Sequence, residues 1–242
     1  RGSKNKDKAK MNFSLKLHYN ILNETAFDTS FYQSGTFATE ELTFGYNKTF
    51  DSILNKIGFQ TGLTIGDQFS SGWIESNSKI SINKKTNLSI RSWVGNHFNT
   101  KNVPKHYRTY LSGGIDPNFS RYIFDRTGRS NFQVLQSQYI VEGPALRGLY
   151  KDDIGTTSGV WGLKLDAKIF FLPKIFYDIA GGEDYETLKA AGIQLGPIII
   201  PLYQSWEKED SKTATNSRWI ADRVRLQFGL TFAAGPFGVF SF

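Results

Sequence analysis

The chain has 242 residues, carries a formal net charge of +7 and contains no cysteine. The lack of cysteine excludes disulfides, thiolate metal sites and cysteine nucleophiles. Aromatic residues make up 15% of the chain, yet its mean hydropathy is −0.36, and no run approaches the roughly 18 to 20 apolar residues of a spanning helix. If the chain crosses a membrane, it must therefore do so as strands that close into a barrel.

No linker-like change in composition divides the chain, so we expect one domain over residues 1–242. Residues 1–10 are rich in lysine without the apolar core of a signal peptide, and they are expected to be a disordered or linker segment. The remaining Lys and Arg are scattered, unlike the basic groove of a nucleic-acid binder. The charge instead favours contact with acidic lipid head groups or lipopolysaccharide phosphates, and no nucleic-acid partner is expected.

Alternation of apolar and polar residues with a period of two predicts strands along most of the chain. In the first of them, 12–19, one face carries Phe13, Leu15, Leu17 and Tyr19. The same pattern predicts strands at 37–50, 57–66, 72–83, 87–98, 107–113, 132–142, 159–171, 174–180, 189–196, 197–206 and 219–232. The sequence therefore predicts an all-β chain of about 12 strands.

The connections between the predicted strands differ sharply in length. Pro173 and the pair Gly196 and Pro197 mark tight turns, whereas long polar loops are predicted at 115–130, 142–158, 181–188 and 207–218. Short turns on one rim and long loops on the other are typical of outer-membrane barrels, whose short turns face the periplasm. The expected fold is a transmembrane antiparallel β-barrel of the bacterial outer membrane.

Motifs of catalysis and cofactor binding are missing from the sequence. The three histidines are scattered, and no His-Glu-x-x-His stretch, Gly-x-Ser-x-Gly turn, phosphate-binding loop or dinucleotide fingerprint occurs. We therefore expect no metal, no cofactor and no enzymatic activity.

One loop carries a more specific pattern. The stretch Gly143-Pro-Ala-Leu-Arg-Gly-Leu-Tyr150 lies in the predicted loop 142–158, and the second strand after it contains Phe176-Tyr-Asp178. This arrangement resembles the BamA-like bacterial surface-antigen superfamily of outer-membrane barrels. In that family an aliphatic-Arg-Gly-aromatic tetrad folds into the lumen and binds a Phe-x-Asp of the inner wall.

By this resemblance the lumen motif of the chain is Leu146, Arg147, Gly148 and Leu149, and its wall partners are Phe176 and Asp178. The strand pattern agrees independently, because the apolar set of that strand (Ile175, Tyr177, Ile179) faces the other way. A confined guanidinium requires a carboxylate, and an aromatic face adds a cation–π contact. We expect this trio to fasten the loop inside the barrel. An ordinary exposed loop arginine at position 147 is the alternative.

The end of the chain carries a second resemblance. Outer-membrane proteins usually finish with an aromatic residue on an alternating strand, which the assembly machinery reads. The corresponding signal here consists of Phe228, Leu230, Phe232 and Phe242.

The resemblance implies a barrel that inserts or translocates polypeptides or lipids, with a seam between the first and last strands that opens for an incoming strand. A family barrel has sixteen strands, so this chain is expected to be part of a larger one. Its tetrad also ends in Leu149 where the family has an aromatic residue. Expected partners are outer-membrane lipid and lipopolysaccharide, a client polypeptide, and periplasmic or lipoprotein subunits.

Three other functions stay open at this point. The barrel could anchor a separate enzymatic or periplasmic domain, or it could be a diffusion porin or substrate channel. A soluble β-sandwich that binds a ligand is the third.

Overall fold

The computed structural model describes residues 8–23, 33–83, 85–100, 102–111, 143–147, 149, 155–196, 198–205, 225–226, 231–234 and 238–241. The described chain is all-β. Its strands are β1 (Lys8–Leu22), β2 (Gly35–Thr49), β3 (Leu54–Gly66), β4 (Ser70–Ser81), β5 (Asn87–Asn99), β6 (Val160–Lys168), β7 (Lys174–Gly182), β8 (Tyr185–Leu195), β9 (Ile198–Gln204), β10 (Arg225–Leu226), β11 (Thr231–Ala234) and β12 (Gly238–Ser241). The described part has one short 3-10 helix, Lys105–Tyr107, and none of its helices is long and apolar enough to cross a membrane.

Strands β1 to β10 form one antiparallel sheet in which each strand pairs with the next along the chain. The last of these, β10, contributes only two residues, which pair with β9. Strands β11 and β12 form a separate hairpin. Within the described residues β1 pairs with β2 alone, so the sheet is not closed, and a barrel with about 12 strands in its wall stays a prediction.

The beginning of the first strand differs from the sequence prediction. Lys8 pairs with Thr49 and Lys10 with Asn47, so residues 8–10 belong to β1 rather than to a linker. The lysine-rich stretch continues the alternation, and the long strand β2 offers it hydrogen-bonding partners. Charge alone was a poor guide, because a lysine at a strand end can keep its ammonium group in water.

Two further predictions are wrong. The long polar loop expected at 181–188 is a hairpin turn at Glu183 and Asp184, since β7 runs to Gly182 and β8 begins at Tyr185. Alternation gives no signal at these strand ends, because Gly181 and Gly182 lack side chains and the core-packed Tyr185 and Leu188 are three residues apart. The strand expected at 107–113 is replaced by the end of the 3-10 helix and one bridge between Thr109 and Thr156. The loop at 115–130 and the strand at 132–142 lie outside the described residues.

The two faces of the sheet differ in both chemistry and exposure. We call inner the face that the segment Gly143–Arg147 covers, and outer the opposite face. Polar inner residues are buried, including Thr39, His97, Lys164, Asp178 and Gln194. The outer face exposes large apolar side chains on each of the strands β1 to β9, among them Phe13, Phe44, Phe59, Ile74, Val94, Trp161, Ile175, Leu195 and Ile198.

The outer apolar side chains extend across neighbouring strands in a row interrupted by Thr61 alone. One row of successive cross-strand partners consists of Phe13, Phe44, Thr61, Ile74, Val94 and Trp161. Phe13 is 71% exposed, Ile74 47% and Val94 50%. Single exposed apolar residues are ordinary, but an extended patch of this kind marks a surface that contacts something other than water.

The two ends of the sheet also differ. Short connections at 50–53, 82–86, 169–173 and 196–197 all lie at one end, which we call the short-turn end. Strands β1 and β2, β5 and β6, and β9 and β10 are joined at the other, which we call the long-loop end, where the turns at 67–69 and 183–184 also lie. The three pairs of successive strands that are farthest apart in sequence are therefore all joined at one end, and the loop predicted at 207–218 lies outside the described residues.

Candidate functional site

The candidate site is the place where Gly143–Arg147 lies on the inner face. The Nη2 of Arg91 on β5 donates a hydrogen bond to the Gly143 carbonyl at 2.9 Å, and the backbone N–H of Leu146 donates to the Leu111 carbonyl at 2.6 Å. Gly162 on β6 lets the segment approach closely, because a Cβ at Gly162 would lie 2.9 Å from the Pro144 Cα. The segment is thus held by a side chain of β5, by the backbone of Leu111 and by close approach to β6.

The backbone of the segment is strained at one position. Ala145 has a φ of 50°, a left-handed conformation that costs a non-glycine residue about 1–2 kcal/mol. Ala145 is fully buried beside Leu146, which is also buried. Such a conformation persists only where the surrounding contacts determine it, and it brings Arg147 down onto β7.

Arg147 binds the carboxylate of Asp178 through three hydrogen bonds. Its Nη2 donates to Oδ1 at 2.5 Å, its Nε donates to Oδ2 at 2.8 Å, and its backbone N–H donates to Oδ2 at 3.0 Å. Arg147 is 3% exposed and Asp178 1% exposed. A two-pronged arginine–carboxylate pair fixes geometry as well as charge, so the segment has one defined position on β7.

Two more groups complete the guanidinium site. Asp166 on β6 accepts a hydrogen bond from Nη1 of Arg147 at 2.6 Å, and the Phe176 ring lies 4.1 Å from the guanidinium carbon. Burial lowers the pKa of Arg147, but the hydrogen bonds and charges of Asp178 and Asp166 outweigh it and leave that pKa raised. The arginine therefore stays charged, and both carboxylates contribute to stabilising that charge.

Sequence reasoning missed part of this site. It named Phe176 and Asp178 but not Asp166, nor the ion pair between Arg91 and Glu75 at 2.6 Å. The signal was available, because Gly162, Lys164 and Asp166 alternate with apolar residues in the predicted strand 159–171. What the sequence lacked was the register that sets Asp166 beside Phe176 and Lys164 beside Asp178.

The other residues of the predicted site lie in different places, and some are outside the described residues. Leu146 is buried in the core cluster, and Leu149 packs against that cluster while partly buried. Gly148, Phe228, Leu230 and Phe242 lie outside the described residues. Phe232 pairs with Phe240 in the hairpin of β11 and β12, and its side chain is not described.

An aromatic cluster closes the inner face toward the long-loop end. The His106 ring lies 4.7 Å from that of Phe37 and 4.6 Å from that of Tyr107. Burial lowers the pKa of His106 to about 4. Beside this cluster is a cavity of about 700 Å³ whose lining includes Arg108 and Asp184.

We call the group of Arg147 with Asp178, Asp166 and Phe176 the Arg147 clamp. In the described part of the chain no group of three His, Cys, Asp or Glu is placed to hold a metal ion. Both oxygens of Asp178 accept hydrogen bonds from Arg147, and Asp166 is shared between Arg147 and Lys174. The arrangement holds a chain segment against a sheet.

Comparison with protein-family models, with curated proteins and with solved structures finds no match for this chain.

Proposed function

We propose that the chain is part of the wall of a bacterial outer-membrane β-barrel, which inserts or translocates polypeptides or lipids across that membrane. The observation that carries this proposal is the reversal of the usual polarity. Apolar side chains such as Phe13, Ile74 and Val94 are exposed on the outer face, whereas Lys164 and Asp178 are buried on the inner one. A barrel wall has this pattern, since lipid surrounds it and a polar lumen lies within.

Strand length and connection length support the same proposal. The outer-membrane strand needs about 9 to 11 residues when tilted, and β1 to β8 have 9 to 15. The segregation of the longer connections at one end is the arrangement of barrels whose loops face outside the cell. In this proposal β1 pairs with a later strand, either of this chain or of a longer one.

The Arg147 clamp supports an assembly or translocation role over free diffusion. Inside a closed barrel, a segment fastened to Asp178 and Asp166 would occupy the lumen. This also matches the tetrad and the Phe-x-Asp partner of the BamA-like superfamily, whose activity we carry over as a proposal. Lipid, lipopolysaccharide and a client polypeptide are then the expected partners.

The test uses the full chain in proteoliposomes with two readouts. We expect small sugars to permeate slowly, and an unfolded outer-membrane polypeptide to become protease-protected faster than in empty liposomes. Arg147→Ala should raise sugar permeation, whereas Arg108→Ala at the long-loop end should leave it unchanged. Rapid sugar permeation by the unmodified protein with no gain in client protection would overturn the proposal.

That contrary result would favour the second candidate, a diffusion channel. The cavity of about 700 Å³ at the long-loop end is the observation in its favour, because Arg108, Asp67 and Asp184 give its lining charges of both signs. A channel of this kind would select solutes at that end and would not need the clamp.

A further inference from the structure

Charge is distributed unequally between the two ends of the sheet. The short-turn end, taken as residues 8–10, 47–56, 79–87, 167–175 and 194–199, carries Asp51 as its one acidic residue in the described chain. Its basic residues are Lys8, Lys10, Lys48, Lys56, Lys79, Lys85, Lys168 and Lys174. Acidic residues instead gather at the long-loop end, where they are Glu40, Glu41, Asp67, Glu183, Asp184 and Glu186.

Within the described residues, Lys174 is the one lysine of the short-turn end that forms an ion pair. Lys174 lies 3.5 Å from Asp166, and Lys48 lies over the Phe50 ring at 4.8 Å. Lys85 and Lys168 are exposed, and within the described residues neither has an acidic partner. A group of like charges at one edge raises the local positive potential, which favours an anionic surface beside it.

The turns at the same end carry exposed apolar side chains. These are Ile53, Ile82, Ile169, Phe170, Phe171 and Leu172. The last four form one turn, closed by a hydrogen bond from the Leu172 N–H to the Ile169 carbonyl at 3.0 Å. Phe171 at its tip is 94% exposed. Turns that face only water are usually built from Gly, Asn, Asp and Ser, and the turn at 169–172 contains none of these residues.

We propose that the short-turn end is seated in the head-group region of an anionic phospholipid leaflet. In this arrangement Phe170, Phe171 and Leu172 enter the boundary with the acyl chains, and Lys168 and Lys85 contact lipid phosphates. The inference rests on the proposed function, because it requires the strands to cross the membrane. It adds that the protein prefers anionic phospholipid and that the short-turn end of the sheet provides this preference.

The distribution of these residues favours a lipid surface over an acidic protein partner. The apolar turns and the lysines follow the sheet edge from β1 to β7 and continue the apolar outer face. A lipid leaflet meets a barrel along its whole circumference, and interfaces of this kind combine aromatic anchors with lysines that reach the phosphates. A protein partner would more often select one compact patch.

The experiment measures which lipid lies next to one turn. Because the chain lacks cysteine, a fluorophore can be placed on Leu172→Cys of the full protein in mixed phosphatidylcholine and phosphatidylglycerol vesicles. Nitroxide-labelled phosphatidylglycerol is expected to quench it more than nitroxide-labelled phosphatidylcholine. Roughly 1 kcal/mol per surface lysine corresponds to about fivefold lipid enrichment, so Lys168→Gln should reduce the selectivity by up to about fivefold.

Two further labels separate the possible failures. A fluorophore on Thr187→Cys at the long-loop end should show no preference for phosphatidylglycerol, and Lys189→Gln should leave the selectivity at position 172 unchanged. Equal quenching by both lipids at position 172, with a Val94→Cys label still quenched, would overturn this inference while the membrane proposal stands. Quenching at position 94 but none at 172 would also overturn it and indicate a protein partner. Absence of quenching at both positions would overturn the membrane proposal itself.

Discussion

The inner and outer faces of the sheet consist of alternate residues of the same strands, yet they follow opposite rules of burial. On β7 the inner residues Phe176 and Asp178 are each 1% exposed, while their neighbours Ile175 and Tyr177 are exposed. In a water-soluble sheet the ion pair would lie outside and the apolar residues within. The difference teaches that the polarity of a residue does not decide its burial here, and it supports our proposal that the outer face has an apolar surrounding.

The largest expected effect comes from breaking the ion pair on the inner face. Asp178→Ala leaves Arg147 buried with Asp166 alone, and the free energy of unfolding should fall by about 3–5 kcal/mol. Urea unfolding in detergent micelles measures it. The matched control, Asp67→Ala, removes an exposed carboxylate and should change the stability by less than about 0.5 kcal/mol. An equal loss of unfolding free energy in the two variants would show that the ion pair of Arg147 and Asp178 does not stabilise the fold.

A charge on the outer face is expected to have the next largest effect. Val94→Arg places a guanidinium in the central apolar row, and in a lipid bilayer it should cost about 2–4 kcal/mol. Asn99→Arg, at the long-loop end of the same strand, is the control and should cost less than about 1 kcal/mol. Unfolding in lipid vesicles compares the two. In a water-exposed sheet Val94→Arg would instead be nearly neutral, and that result would reverse our assignment of the faces.

The close contact between the loop segment and β6 gives a third test. Gly162→Ala puts a Cβ against the Pro144 backbone, which cannot yield as a flexible side chain would, and should cost about 1–3 kcal/mol. The control is Gly159→Ala, whose Cβ would lie 3.2 Å from the flexible end of Glu183. Faster proteolysis of the segment 143–149 in Gly162→Ala, but not in Gly159→Ala, is the expected result. Identical proteolysis would indicate that the segment is not held at Gly162.

A smaller, pH-dependent effect is expected where the inner face ends at the aromatic cluster. Burial lowers the pKa of His106 to about 4, against about 6.5 when unfolded, so the unfolded state binds the proton more readily. The stability contributed by neutral His106 is thus present above pH 6.5 and is lost as the pH falls toward 4. Between pH 7 and pH 6 the loss should be about 0.7 kcal/mol.

Thermal unfolding of the unmodified protein and of His106→Phe across this pH range measures the effect. The substitution should remove this part of the pH dependence, because phenylalanine keeps the ring contacts but does not titrate. An unchanged slope in His106→Phe would assign the pH dependence to other groups.

The sequence predicted the strands best where one face is apolar. Strands β3 and β5 were placed within three residues of their observed bounds. In β3 the residues Ile57, Phe59 and Leu63 alternate with small or polar residues, and in β5 Val94 and Phe98 do so. Prediction failed around Glu183 and Asp184, because the core-packed Tyr185 and Leu188 that follow are three residues apart and break the period of two. A hairpin turn and a loop then look alike in sequence.

The candidate site was predictable in part for a related reason. Alternation placed Phe176 and Asp178 on the inner face, and the resemblance paired them with Arg147. The contacts of Asp166 and Arg91 were not predictable, because they depend on the register of three neighbouring strands. A single sequence does not show which residues of neighbouring strands pair with one another.

Fluorescence quenching by spin-labelled acyl chains along β3 is the most direct test of our central claim, that the outer face contacts lipid and the inner face does not. Single cysteines at Phe59, Gln60, Leu63 and Thr64 would carry the fluorophore in the full protein reconstituted into vesicles. Our account predicts strong quenching at positions 59 and 63 and little at 60 and 64. Equal quenching at all four positions, or none at any, would contradict it.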